Sequence, residues 1–308
     1  MKMLIGHTGF VGSNLHRQHA FDAVFHSKNI ADAYGTRPNL CVYAGVRGEK
    51  FRADRFPKED FLHIREALDT IKRIAPRKLV LISTIDVIPG GLGRDIFEDT
   101  PYHADTLAPY GKHRLFLENA VREQGADVCI VRLPGLFGPG IKKNFIYDLI
   151  QFIPSMLKQD KFEELCGRQA ALKAFYAADE NGFFRLRPDI SAQERVLLKE
   201  MFAALGFSAL HFTDSRSQFS FYNLEYLWAH IELLLAQGIE LAHMATEPVP
   251  VADIYERIYG AGFVNEVSAV PFDHTFFKTK YAEIFGGHGG YIFDRDQVVS
   301  DIVQFVGD

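Results

Sequence analysis

The first half of the chain alternates between two rhythms of apolar residues. Continuous apolar runs occur in MLIG (3–6), AVFHS (23–27), NLCVYAG (39–45), KLVLIST (78–84) and DVCIVRLP (127–134). Runs this short without a polar face predict strands covered on both sides by helices. Between them, residues 11–19, 60–74 and 110–123 carry helical spacing, and Phe61, Ile64, Leu68 and Ile71 fall on one stripe. Strand–helix alternation of this kind predicts an α/β fold with a Rossmann-like, doubly wound parallel sheet.

After Pro134 the texture changes. GLFGPGIKKN (135–144) reads as a glycine-rich loop and residues 145–158 as a helix. FYAADENGFFRL (175–186) is two short apolar runs about Asn181-Gly182, which predicts a hairpin. SAQERVLLKEMFAAL (191–205) opens with a capping box from Ser191 to Glu194 and stops at Gly206, and NLEYLWAHIELLLAQG (223–238) is another helix. The pattern predicts a smaller mixed α/β region built onto the first.

Composition changes this picture only by exclusion. The 308 residues carry a net charge of −5, so broad attraction to nucleic acid is not expected. No run approaches the ~18 apolar residues of a membrane span. The apolar run at the start, Met3 to Ile5, falls short of the roughly 7–15 residues of a secretory signal. Cys41, Cys129 and Cys166 have no CxxC spacing, and the first two sit in apolar runs. They read as core thiols of a cytoplasmic protein. The histidines have no HExxH or HxH spacing, so no metal is expected.

Candidate chemistry begins at Gly6-His7-Thr8-Gly9-Phe10-Val11-Gly12, a GxxGxxG pattern between a strand and a helix. Glycines let the backbone approach a pyrophosphate, and the helix supplies free N–H groups. The pattern predicts a dinucleotide site holding Gly6, Thr8, Gly9, Phe10, Val11 and Gly12; the alternative is a structural tight turn. NAD sites usually place an acid at the end of the second strand. Ser27 and Lys28 stand there instead, which suits the 2′-phosphate of NADP better, unless Lys28 is an ordinary solvated lysine.

LVLISTIDVIP, PYGKHRLFLE and VRLPGLFGPG complete an ordered set with the glycine loop. Together they resemble the extended short-chain dehydrogenase/reductase superfamily of nucleotide-sugar epimerases, dehydratases and reductases. GHTGFVGSNL and VYAGVRG look most like its GDP-fucose synthase-like members. The resemblance covers most of the chain and is strongest over 1–145. It implies NADP, or NAD, as cofactor, with Ala44, Gly45, Val46 and Pro134 also lining the cofactor. It implies a nucleotide-sugar substrate, and a homodimer formed by a four-helix contact that includes the Tyr110 helix. The implied division is a dinucleotide-binding part, 1–140 with 217–246 returning to it, and a substrate region, 141–216 and 247–308.

The implied catalytic set is Thr84, Tyr110 and Arg114. The family places lysine where Arg114 stands. An arginine keeps the charge on the Tyr110 face of the helix but is a wider fork. Thr84 would hold the substrate oxygen while Tyr110 moves its proton. The resemblance also points to Asp86, Lys143, Asn144 and Arg216 on the substrate side, with Arg216 at the phosphate. Surface ion pairs are the alternative for Lys143 and Arg216, and a loop bond for Asp86. Ile85 removes one carboxylate of the dehydratase pattern, and Asn144 cannot cycle a proton as the double epimerisation requires. A 4-ketoreductase or 4-epimerase of a nucleotide sugar is therefore the main expectation. A dinucleotide-binding regulatory or scaffold protein without chemistry is the rival, and a dehydratase the third.

Overall fold

Each of the five apolar runs is a strand in the computed structural model, which describes all residues except 91–93, 126, 181 and 308. They are β1 (Lys2–Ile5), β2 (Ala23–Phe25), β3 (Leu40–Tyr43), β4 (Lys78–Thr84) and β5 (Asp127–Leu133). With the strand Leu241–His243 they form one parallel sheet in the order 241–243, β5, β4, β3, β1, β2. Successive side chains alternate between two cores. Leu4, Val42, Val80 and Val131 pack with Leu15, Trp228 and Ile231. Met3, Ile5, Cys41, Leu79, Leu81 and Ile130 pack with Ile64, Ile71 and Leu117. Both faces are covered, which is why these strands lack a polar side. The expected doubly wound α/β fold is observed.

The helices of this part are α1 (Phe10–Gln18), α2 (Lys50–Arg55), α3 (Pro57–Ile74) and α4 (Pro109–Arg122). The short α2 has no apolar stripe that would have marked it beforehand. β1 lies between β2 and β3, so the sheet is built outward in both directions from it. The carboxyl ends of β1 and β3 therefore flank the switch point where such sheets bind ligands.

The chain forms two units, one of residues 1–141, 218–250 and 273–305, the other of 142–217, 251–272 and 306–308. This corrects the expected division at the C-terminal end, because 273–305 folds with the sheet. Ile96 bridges to Phe277, Thr279 Oγ1 donates to Glu98 at 2.6 Å, and Ile292 N donates to the Ala245 carbonyl at 2.8 Å. GLF, read as loop, is the strand Gly135–Phe137, paired in parallel with Phe221–Asn223.

In the second unit the helix expected over 145–158 is only Phe145–Gln151. Phe152 has φ +61°, and Pro154 has no N–H with which to continue the ladder. Met156–Lys158 then forms a strand against Phe183–Leu186, which pairs with Tyr176–Ala178 as the hairpin reading required. Asn181 of that turn lies outside the described residues. The capping box of Ser191 and Glu194 is present, and Gly206 closes the helix Ala192–Leu205 with φ +64°.

Three histidines of the first unit are buried and held neutral. His243 Nδ1 donates to the Lys278 carbonyl at 2.7 Å, so its Nε2 accepts from Arg132 Nη1 at 3.2 Å. His230 meets the Tyr222 hydroxyl at 2.8 Å, and His274 Nδ1 accepts from Ser220 N at 3.2 Å. Burial depresses all three, His243 to about 3 with Arg132 assisting, and His230 and His274 each to about 4. An unfolded histidine titrates near ~6.5, so below that pH the unfolded chain binds more protons. The stabilisation is complete above this value and declines as pH falls toward the folded values. At pH 5 each histidine should withdraw roughly 2 kcal/mol. Urea unfolding followed by the single tryptophan, Trp228 in the sheet core, should show the midpoint falling steeply between pH 7 and pH 5.

Candidate active site

The glycine loop joins β1 to α1 under tight steric limits. Gly6 has φ +88°, and a Cβ there would sit 2.6 Å from the Ala44 carbonyl oxygen. A Cβ on Gly12 would sit 2.1 Å from the Gly6 carbonyl oxygen. Gly9 caps α1 without a side chain, so no local group covers the first-turn N–H donors. The loops after β1 and β3 are in contact, since Ala44 N donates to the Ile5 carbonyl at 2.9 Å. Thr8, Gly9 and Gly45 are exposed, and Phe10, Val11, Val46 and Pro134 are half-buried. A bare helix start whose loop excludes any Cβ fits a dinucleotide pyrophosphate.

Ser27 and Lys28 are exposed just past β2, whose last carbonyl, on Phe25, accepts from Gly6 N at 2.7 Å. They are thus beside the glycine loop, as the reading of that position required. Sequence reasoning missed three imidazoles there. His7 lies with its ring centroid 5.3 Å from that of His26 and 5.8 Å from that of His16. His7 is visible in the motif, but its neighbours come from α1 and the end of β2.

Tyr110 stands in the first turn of α4 behind Pro109 and is 8% exposed. Its N–H donates to Asp54 Oδ1 of α2 at 2.9 Å, a cap supplied from a distant element. Gly111 brings the helix onto the turn after β4, because a Cβ there would be 1.9 Å from the Asp86 carbonyl oxygen. That approach sets Tyr110 beside Thr84. Burial pushes the phenol up to about 12; Arg114 and Thr84 oppose this, and Asp86 and Asp60 add to it. The resting side chain is a neutral acid.

Arg114 is on the Tyr110 face, as its spacing required, but is more confined than a free cation. Its guanidinium lies 3.9 Å over the Tyr110 ring. Nη1 donates to Asp60 and, at 3.3 Å, to the Tyr110 carbonyl, while Nη2 donates to the Arg47 carbonyl at 2.7 Å. Only Nε is buried without a partner. The Nη1 and Nη2 donors are thus committed to the protein. Asp86 is committed also: Oδ2 accepts from Thr84 Oγ1 at 3.0 Å and Oδ1 from Lys50, a residue the sequence reading passed over.

Lys143, Asn144 and Arg216 belong to the second unit. Lys143 is exposed. Asn144 caps the helix Phe145–Gln151, accepting from Ile146 N and Tyr147 N, at φ +86°, a strained value for a residue other than glycine. Arg216 grips Asp214 with two bonds of 2.9 and 2.8 Å and also meets Glu266 at 3.0 Å and the Ser268 carbonyl at 2.7 Å. Its guanidinium, with the Ser268 and Val267 N–H groups, holds Asp214 well below the usual carboxylate range. Arg216 is thus ion-paired with the buried Asp214 and with Glu266.

Residues 38–172 match the NAD dependent epimerase/dehydratase family. No curated protein sequence matches the chain. Among solved structures, dTDP-4-dehydrorhamnose reductase from Yersinia enterocolitica is 16% identical with a TM-score of 0.63, covering 99% of this chain and 98% of that one. The Bacillus anthracis dTDP-4-dehydrorhamnose reductase, solved with NADP, is 16% identical at a TM-score of 0.61, with 99% and 98% covered. UDP-N-acetylglucosamine 4-epimerase from Methanobrevibacter ruminantium, solved with UDP-N-acetylmuramic acid, is 11% identical at 0.60, with 100% and 98% covered. Residues 38–172 are thus similar to the NAD dependent epimerase/dehydratase family, and these structures match the fold along the whole chain.

Proposed function

We propose that the protein is an NADP(H)-dependent reductase of a nucleotide-linked 4-keto sugar. The observation that carries this reading is the buried Tyr110, seated beside Thr84 at the sheet's carboxyl end by the approach of Gly111 to the Asp86 carbonyl. A bound dinucleotide would supply the hydride. Thr84 orients the ketone oxygen, and Tyr110 gives that oxygen its proton as the alcohol forms. Arg114 over the ring face favours the phenolate left behind and moderates the cost of the step. A 4-epimerase would use the same tyrosine, beginning as a base. Lys28 without a carboxylate at the end of β2, and His7 and His26 beside it, favour NADP(H) over NAD(H). The second unit would take the nucleotide sugar.

The test is turnover of dTDP-, UDP- and GDP-linked 4-keto sugars with NADPH and with NADH, followed by nicotinamide absorbance and by the sugar product. Turnover on the order of 1–10³ per second with NADPH, and a preference over NADH, is expected. Binding of NADPH with no turnover of any of these sugars would leave the dinucleotide-binding protein without chemistry as the reading.

A further inference from the structure

We propose that Asp60 is a positioning residue that keeps Tyr110 in its acid form, by holding Arg114 over the ring and offsetting its charge there. Its bearing on the reaction rests on the reductase reading above. Tyr110 gives a proton only while it is a phenol, so a group that favours phenolate narrows the pH range of the reduction. The cation nearest the ring is the Arg114 guanidinium, 3.9 Å over its face. A guanidinium does not deprotonate in proteins, so this charge is present at every pH. Unopposed, it would draw the phenol toward ionisation.

Asp60 supplies the opposition. It stands in the first turn of α3, reaches across to α4 and accepts on Oδ2 from Arg114 Nη1. The same oxygen accepts from His113 Nδ1 at 2.7 Å. A carboxylate only accepts, so that imidazole nitrogen carries a proton. Burial pushes the Asp60 carboxyl up, but its bonds to Arg114 and His113 outweigh this and hold it below the usual carboxylate range. It is therefore an anion wherever Tyr110 could ionise. The Arg114 side chain is 4% exposed and that of Asp60 10%, so water screens the pair weakly. The two charges act on the phenol in opposite directions. The other charged groups around Tyr110 have partners of their own. On α2, Asp54 accepts from the Tyr110 N–H, and Lys50 pairs with Asp86 of the turn after β4. Arg47 presents its carbonyl to Arg114. What faces the ring is thus one half of an ion pair rather than an isolated cation.

Asp60→Asn tests this with little change of shape. An amide oxygen has two lone pairs, so the bonds from Arg114 and His113 can both persist while the charge is lost. Tyr110 should then ionise about 1–2 pH units earlier than in the unaltered protein. Asp60→Glu, which keeps the charge, should titrate as the unaltered protein does. NMR of protein labelled with carbon-13 at tyrosine Cζ reads this ionisation without substrate, the Tyr110 signal being the one missing from Tyr110→Phe. With NADPH and a 4-keto nucleotide sugar that is reduced, the alkaline limb of kcat/KM should move down by the same amount. A role in stability alone would lower the unfolding midpoint and leave both readouts unmoved. If the lone buried guanidinium keeps Asp60→Asn from folding, the variant carrying both Asp60→Asn and Arg114→Gln is compared with Arg114→Gln. Arg114→Gln alone should raise the Tyr110 titration, and the double variant should return it close to that of the unaltered protein. A titration that does not fall in Asp60→Asn, or that rises as far in the double variant as in Arg114→Gln, would overturn the proposal. A shifted NMR titration with an unmoved limb would uphold the role of Asp60 and remove Tyr110 as the acid of the reductase reading.

Discussion

Tyr110→Phe is expected to lower kcat by about 10²–10⁴-fold, the usual worth of a positioned general acid. The affinity for NADPH and the KM for sugar should change little, because the ring stays in place. Its face still carries the Arg114 guanidinium, its N–H is still capped by Asp54, and Gly111 still seats the helix on the Asp86 carbonyl. Only the hydroxyl beside Thr84 is removed. Stability should therefore hold to within about 1 kcal/mol. A fall in kcat and kcat/KM by equal factors would identify an interaction made only at the transition state. Full turnover in Tyr110→Phe would remove the tyrosine from the chemistry, and with it the reading of the site. Steady-state kinetics beside thermal unfolding make both comparisons.

Gly12→Ala should have a comparable effect on cofactor binding by a wholly different cause. The added carbon would lie 2.1 Å from the Gly6 carbonyl oxygen, 2.6 Å from its carbon and 3.0 Å from the His7 Cα. All three belong to the backbone, so no side chain can swing away. Either α1 withdraws from the loop or the loop withdraws from Ala44, and both separate the N–H donors from the pyrophosphate. Losing two charge-assisted hydrogen bonds at roughly 1.5–3 kcal/mol each weakens NADPH binding on the order of 10²–10⁴-fold. The strain itself costs about 1–3 kcal/mol of stability. NADPH fluorescence titration reads the first effect and thermal unfolding the second. Unimpaired binding would mean that the loop does not carry the pyrophosphate.

The sheet was legible because its cause is local. Leu4, Val42 and Val80 lie on one face and Met3, Cys41 and Leu79 on the other, so strands buried on both sides must read as continuous apolar runs. The glycine loop was legible because the steric demand falls on Gly6 and Gly12 themselves. The committed state of Arg114 was not legible, since Asp60 and the Arg47 carbonyl reach it from other elements. Lys50 was hidden for the same reason, because its partner Asp86 is 36 positions away. The early end of the helix at Gln151 was signalled by Pro154, but Phe152, Ile153, Met156 and Leu157 around it kept the helical rhythm going. Charge partners depend on where strands end, and that is a property of the whole sheet.

The sheet unit is assembled from three stretches of chain, and the last of them ends at residue 305. Its edge strand, Leu241–His243, and the segment that bonds Glu98 and Ala245 are made only after residues 142–217. A nascent chain therefore exposes the apolar end of this sheet until those later segments are made. The 142–217 stretch is complete well before that exposed edge can be closed. The order of synthesis thus runs against the order of closure, and the early sheet must wait, unsealed, for its third stretch.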